Sequence, residues 1–236
     1  MTKPQDDDDP APAGDPRLDA AWRLLEGGEV AAARRAVAAL PPAEPEVLLL
    51  LAACCREEDD LSEALTLLRR AASADPEWAV PELWLAEILV ADPDAIDEAL
   101  RHAGRALDLA DEEHDYLSAV ALKAGIEVEL GQAEQARQTL AELPPPEVPL
   151  DDPDAALEIA DLHLALGDAE LARARLRTLT ETQPASGDAW YALGCVAAEL
   201  EDQSEMRAAW KRTFALDTAA GTTGAGDRLT EDEVAA

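Results

Sequence analysis

Few residues in this 236-residue chain have the type and spacing to do chemistry. Its three histidines are His102, His114 and His163, and none has a second histidine three or four residues away. Two imidazoles on one helix face need that spacing, so a zinc-protease HExxH site is excluded at the level of motif. His163 sits where two helices are expected to cross and reads as a packing residue. The three cysteines are Cys54, Cys55 and Cys195. An odd count with an adjacent pair and no CxxC spacing is neither a disulfide framework nor a structural zinc site. Cys54 and Cys55 fall on a helix-packing position and read as small buried hydrophobes. No GxGxxG, GxxxxGK[ST] or GxSxG occurs, which leaves nucleotide binding and serine hydrolysis without support. The clusters Glu57-Glu58-Asp59-Asp60 and Asp111-Glu112-Glu113 lack the alternating oxygen ligands around a central Gly that calcium needs. They read as charged turns. The chain is expected not to be an enzyme and to need no cofactor and no metal.

Charge narrows the binding classes. Asp and Glu number 51 against 19 Lys and Arg, a formal net charge of -32. Phosphate backbones and anionic membrane surfaces both select basic faces, so nucleic acid and membrane are disfavoured as partners. The opening MTKPQDDDDP lacks the basic-then-apolar order of a signal peptide. The longest apolar run, Val47 to Cys55, is too short to span a bilayer. A reducing cytoplasm is the expected compartment. Lys occurs only at positions 3, 123 and 211, Asn is absent and Ala abounds, a pattern similar to that of GC-rich bacterial genomes.

The elements that position these residues are helical and repeated. Hydrophobic residues are 48% of the chain, with only 5 Trp, 2 Tyr and 1 Phe, so the core must be built mainly of Ala, Leu and Val. Residues 1–15 carry Asp6 to Asp9 among Pro4, Pro10 and Pro12, with Pro16 just beyond, and are expected to form a disordered acidic tail. Residues 219–236, rich in Gly and closing on Glu231-Asp232-Glu233, are expected to form a second one. Between them, residues 16–218 show apolar positions at helix spacing, broken by short polar turns. Pro45 to Pro76 is one clear unit, Pro153 to Pro184 another, and Trp190 to Asp217 a third. An Ala recurs in the second helix of each unit, at Ala33, Ala64, Ala99, Ala136 and Ala172, with Met206 in the sixth. Gly28, Gly131 and Gly167 each open the same phrase, which ends at Leu40, Leu143 and Leu179. Gly at the turn supplies a positive φ, and a small Ala lets two helices approach closely. No unit can bury its apolar face alone, so the stack is the fold. Asp92-Pro93-Asp94 predicts a reshaped turn in the third unit, and Pro144 to Pro149 a stiff linker at 144–152 where the array could bend.

The segments DAWYALGCVAAEL (188–200) and DLSEALTLLRRAASADP (60–76) resemble the tetratricopeptide repeat (TPR), a pair of antiparallel helices about 34 residues long. The resemblance implies an all-α, right-handed superhelical solenoid of about six helix pairs. A fainter resemblance links the array to bacterial proteins in which such repeats precede a small zinc metallopeptidase domain. It implies at most the repeat half, since no HExxH follows.

In TPR proteins the first helix of each unit lines a concave groove. Carried onto this chain, the resemblance places Leu49, Ala53, Trp84, Ile88, Ala121, Gly125, Leu157, Asp161, Tyr191 and Cys195 along the groove floor. Its acidic rim would be Glu46, Glu57, Asp92, Glu129, Asp154, Asp188 and Glu199. An apolar floor with an acidic rim suits a basic or amphipathic peptide or protein segment. TPR clamps for an acidic chaperone tail use Lys and Asn, which these positions lack. The expected role is a non-catalytic interaction scaffold. The alternatives are an accessory or remnant of a zinc-peptidase system and a self-associating repeat. Trp210 and Phe214, in the last helix where a polar cap is expected, could serve a homodimer through the C-terminal end.

Overall fold

A computed structural model of the chain describes residues 15–220. Nearly all of both expected tails lies outside these residues. Twelve helices follow one another, and no strand occurs among the described residues. They pair into six units: α1 (Pro16–Glu26) with α2 (Val30–Val37), α3 (Pro45–Glu57) with α4 (Leu61–Ala74), and α5 (Ala79–Leu89) with α6 (Ile96–Leu109). The second half pairs α7 (Glu113–Glu129) with α8 (Ala133–Leu140), α9 (Pro153–Ala165) with α10 (Ala169–Thr182), and α11 (Gly187–Glu199) with α12 (Gln203–Ala220). Each unit packs on the next to form a solenoid. No helix among the described residues is long and apolar enough to cross a membrane.

Local chemistry sets the helix ends. Pro16, Pro45 and Pro153 occupy first-turn positions, where a missing N–H costs nothing. Asp15, Asp60, Asp152 and Ser186 cap helix N-termini through side-chain oxygens. Five of the six intra-unit turns are three residues long and share one hydrogen bond, from the amide that starts the next helix back across the turn. These are Glu29 to Leu24 O, Asp60 to Cys55 O, Gln132 to Glu127 O, Asp168 to His163 O and Asp202 to Ala197 O, at 2.8–2.9 Å. This is a Schellman closure, and it requires a left-handed residue. Gly28, Gly131 and Gly167 supply it with φ of 75°, 72° and 81°. Asp59 (φ 61°) and Glu201 (φ 58°) fill the same position without a glycine. The third unit departs, as Asp92-Pro93-Asp94 foretells. Its turn runs from Val90 to Ala95, and Asp92 Oδ1 accepts from the Asp94 amide.

The recurring alanines lie where the helices cross. Ala33, Ala64, Ala99, Ala136 and Ala172 are all fully buried. Met206, in the sixth unit, is half-buried, and the close contact there is made differently. A Cβ placed on Gly194 of α11 would lie 2.1 Å from the Trp210 indole of α12, so glycine is what admits the tryptophan. Trp210 is thus turned inward onto α11. The exposed positions of α12 include Arg207, Lys211 and Arg212, while Trp210 and Phe214 are half-buried.

A second periodic device ties four of the units to the loop before them. Six positions after the packing alanine, Arg70 and Arg105 donate to the carbonyls of Pro42 and Pro76. At the equivalent positions Thr178 donates to Pro146 O and Arg212 to Pro184 O. Arg175 reinforces the fifth unit by donating to Pro144 O (2.8 Å) and Val148 O (3.3 Å). The proline-rich linker is therefore fastened to α10, and α7 packs directly on α9 beside it.

Candidate binding groove

The two helix sets differ in charge. The first helices (α1, α3, α5, α7, α9, α11) carry 15 Asp and Glu against 4 Lys and Arg. The second helices carry 9 against 13. Most of the second-helix arginines are engaged in holding the stack. Arg34 pairs with Glu58, Arg69 with Glu98, Arg105 with Glu82, Arg137 with Asp168 and Arg177 with Glu205, at 2.6–3.0 Å. All but Arg105–Glu82 join consecutive units.

The acids of the first helices are engaged less evenly. Glu82 and Glu127 are buried and paired: Glu82 with His102 and Arg105, Glu127 with Lys123 and Thr139. Glu87 on α5 pairs with Arg56 on α3 at 3.2 Å. Among the described residues no ion pair engages Glu158 or Asp161 of α9. Both are exposed at their tips, yet surrounding protein pushes both carboxyl pKa values up. For Glu158 the nearby charges of Glu87, Asp161 and Asp152 raise it further. Burial likewise pushes Glu87 up, against the opposing pull of Arg56. Glu87 and Glu158 sit on helices separated by α7 and still feel each other. The centre of the first-helix face, here called the trough, is therefore acidic.

At its N-terminal end the trough holds an aromatic pocket of about 320 Å³ between α1, α3 and α5. Trp22 and Trp84 meet edge to face, with ring centroids 6.3 Å apart. The Arg56 guanidinium lies over Trp84, 4.9 Å from the ring centroid. Leu25 and Ala53 complete the floor, and Glu26 and Glu57 stand at the edge.

The expected floor residues divide. Trp84, Ile88, Gly125, Leu157, Tyr191 and Cys195 are partly open, and Asp161 is exposed. Ala53 is 7% exposed and lines the pocket. Leu49 (6% exposed) and Ala121 (0%) are not groove residues. Leu49 is locked in the core with Leu85 and Ala86 of α5, and Ala121 in the core with Ile159 and Ala160 of α9. First helices inside the stack are covered on both flanks, so a one-residue shift carries a side chain from floor to core. Gly125 lies against α9: a Cβ there would sit 3.8 Å from Leu162. The seven rim carboxylates, Glu46, Glu57, Asp92, Glu129, Asp154, Asp188 and Glu199, are all exposed and stand at or just beyond first-helix ends. Trp22, Arg56, Glu87 and Glu158 are groove residues that the sequence reading passes over. Glu87 lies three residues from Trp84 and Glu158 three from Asp161, so helical spacing alone points to both.

The chemistry-bearing residues are placed as packing groups. Cys54 and Cys55 are buried and Cys195 half-buried, all three as free thiols. Burial raises the Cys54 pKa, and the Arg34 guanidinium donates to Cys55 Sγ at 3.2 Å. His163 is 7% exposed, and burial with Arg175 nearby lowers its pKa. Among the described residues no group of His, Cys, Asp and Glu is arranged to hold a metal ion.

The fold defined by these twelve helices is the TPR solenoid. The chain superimposes on PilF of Pseudomonas aeruginosa with a TM-score of 0.65 at 15% identity, over 85% of this chain and 90% of that one. PilW, a widely conserved type IV pilus biogenesis factor, gives a TM-score of 0.65 at 16% identity, over 92% and 94%. The C-terminal part of a TPR repeat-containing protein from Cytophaga hutchinsonii gives 0.62 at 16% identity, over 89% and 82%. No family model matches the sequence. No curated protein matches it either.

Proposed function

We propose that the protein is a non-catalytic interaction scaffold whose first-helix trough holds a basic, amphipathic segment of a partner protein. The observation that carries this reading is the separation of charge between the two helix sets. Most second-helix arginines are engaged in holding the stack, whereas on α9 burial raises the carboxyl pKa values of Glu158 and Asp161, and for Glu158 the crowding of Glu87, Asp161 and Asp152 raises it further. Such crowding costs stability in the free protein, and a bound cation relieves it. Glu57, Glu129 and Glu199 add to this, because each ends a first helix where the macrodipole disfavours a carboxylate. The half-buried Ile88, Leu157 and Tyr191 give the partner's apolar side chains a surface to cover. The three free thiols suit a reducing compartment such as the cytoplasm.

Calorimetric titration of the full chain with short amphipathic peptides tests the reading. A Leu–Lys helical peptide is expected to bind, and a Leu–Glu peptide of the same pattern is not. Raising salt from about 0.05 to about 0.5 M is expected to weaken binding at least tenfold. Glu158→Gln with Asp161→Asn is expected to weaken it several-fold without loss of helicity. Equal binding of both peptides, or binding unchanged by that double variant, would overturn the assignment. Concentration-dependent self-association in place of peptide binding would shift the role to a self-assembling repeat.

A further inference from the structure

The aromatic pocket at the head of the trough has a chemistry of its own. Two tryptophans from different units meet there edge to face, and both stay half-open. Indole faces attract cations, and guanidinium more than ammonium, because it is flat and less strongly hydrated. The protein already displays such a pairing: the Arg56 guanidinium lies 4.9 Å over Trp84 while its Nη1 reaches Glu87 at 3.2 Å. Beside it a cavity of about 320 Å³ stays open, floored by Leu25 and Ala53. That size sits at the small end of the roughly 300–1,000 Å³ typical of ligand pockets and suits one long side chain. Glu26 and Glu57 stand at this opening. Neither has a cationic partner within ion-pair distance among the described residues. A pocket serving only to join units one and three would need no carboxylates at its mouth.

We infer that this pocket is an arginine-reading subsite: it takes an arginine side chain of the bound segment against Trp22 and Trp84, with Glu26 and Glu57 as its counter-charges. The inference rests on the trough being a binding groove and adds to it the identity of one partner residue. Arg56 forms one wall and keeps Trp84 oriented. The subsite sits at one end of the trough, while Glu158 and Asp161 lie further along it on α9, so an arginine seated in it sets the register of the segment.

The test compares a Leu–Lys amphipathic peptide with the same peptide carrying Arg at every Lys position, titrated into the full chain with tryptophan fluorescence as the readout. Charge and pattern are identical, so the trough alone distinguishes them little. The Arg peptide is expected to bind on the order of tenfold more tightly. Trp22→Leu and Trp84→Leu are expected to reduce that ratio to about one while the Lys peptide keeps its affinity. Should either variant fail to fold, Glu26→Gln with Glu57→Gln, at exposed positions, reads the same subsite and is expected to shrink the ratio several-fold. Equal binding of the two peptides to the unmodified protein, or a preference that survives these variants, overturns the subsite and leaves the groove standing. Failure of both peptides to bind removes the groove and the subsite together.

Discussion

The first and second helices of the same six units do opposite things with their charges. On the second helices the arginines find carboxylates of the next unit or carbonyls of the preceding loop, from Arg34–Glu58 to Arg212 and Pro184 O. On the first helices the trough acids find mostly one another. The outer layer spends its charge on cohesion. The inner face leaves Glu158 and Asp161 without an ion pair among the described residues, the feature on which the proposed binding role rests. Substitutions in the outer layer and at the helix crossings are therefore expected to move stability, and substitutions along the trough to move binding.

The largest expected effect is at the crossing of the two layers. Gly194→Ala puts a Cβ into the Trp210 indole and is expected to cost about 2–3 kcal/mol in urea unfolding, focused on the last unit. A cost below about 0.5 kcal/mol would show that α12 slides freely and that the crossing does not fix the layers. Next comes the linker clamp. Arg175 is 3% exposed and has two carbonyl partners, so Arg175→Ala strands both carbonyls and is expected to cost about 2 kcal/mol. Arg175→Met, which keeps the volume and removes a buried charge that lacks an ion pair, is expected to cost less than Arg175→Ala. A larger cost for Met would mean that the charge itself, rather than the fastening, holds the linker.

The contrast between the layers was only half legible in the sequence. Repeat number, the glycine turns and the crossing alanines could be read directly, because each is a local rule: a positive φ needs Gly28, Gly131 and Gly167, and close approach needs Ala33 or Ala64. The reshaped turn at Asp92-Pro93-Asp94 was visible for the same reason. The groove was legible as a zone and not as a list. Leu49 and Ala121 share helical phase with true floor residues, but flanking helices that sequence periodicity does not locate cover them. The Trp22–Trp84 contact joins units one and three across α3, and nothing in a single repeat announces it. Trp210 misled in the other direction. A bulky residue in a terminal helix suggests an exposed end, whereas the glycine opposite it lets the indole pack half-buried against α11.

A smaller effect sharpens the comparison at the turns. Asp59 and Glu201 hold the left-handed position that Gly28, Gly131 and Gly167 hold in sister units. A side chain there is strained, so Asp59→Gly and Glu201→Gly are each expected to stabilise the array by about 0.5–1 kcal/mol. Peptide affinity is expected to be unchanged, since both residues lie in the turns to the second helices. Gly131→Ala is expected to do the reverse by a similar amount. Measured in thermal melts, an Asp59→Gly loss would show that the carboxylate at that turn has a role the backbone geometry does not require.

The finest test falls within the first-helix layer, where titrating groups push stability in opposite directions as pH changes. Glu87, Glu158 and Asp161 have folded pKa values raised above their ordinary values of 4.5, 4.5 and 3.8. Their contribution is fully present below those ordinary values and is lost as pH rises through the raised folded ones. Acidification from neutrality should therefore tighten the trough. His163, buried at the packing of α9 against α10, has its pKa lowered from 6.5. Its contribution is present above 6.5 and is lost as pH falls towards the lowered folded value. Asp168 opposes that lowering and Arg175 favours it. Urea midpoints of the unmodified chain between about pH 7 and pH 4 are expected to change little, because the two trends offset. In Glu87→Gln with Glu158→Gln and Asp161→Asn, the raised-carboxylate trend is removed, and stability should fall more steeply on acidification than in the unmodified chain. In His163→Phe the histidine trend is removed, and stability should fall less on acidification than in the unmodified chain. Identical profiles for the two variants would mean that neither the crowded carboxylates nor the buried imidazole of the first helices governs the pH response.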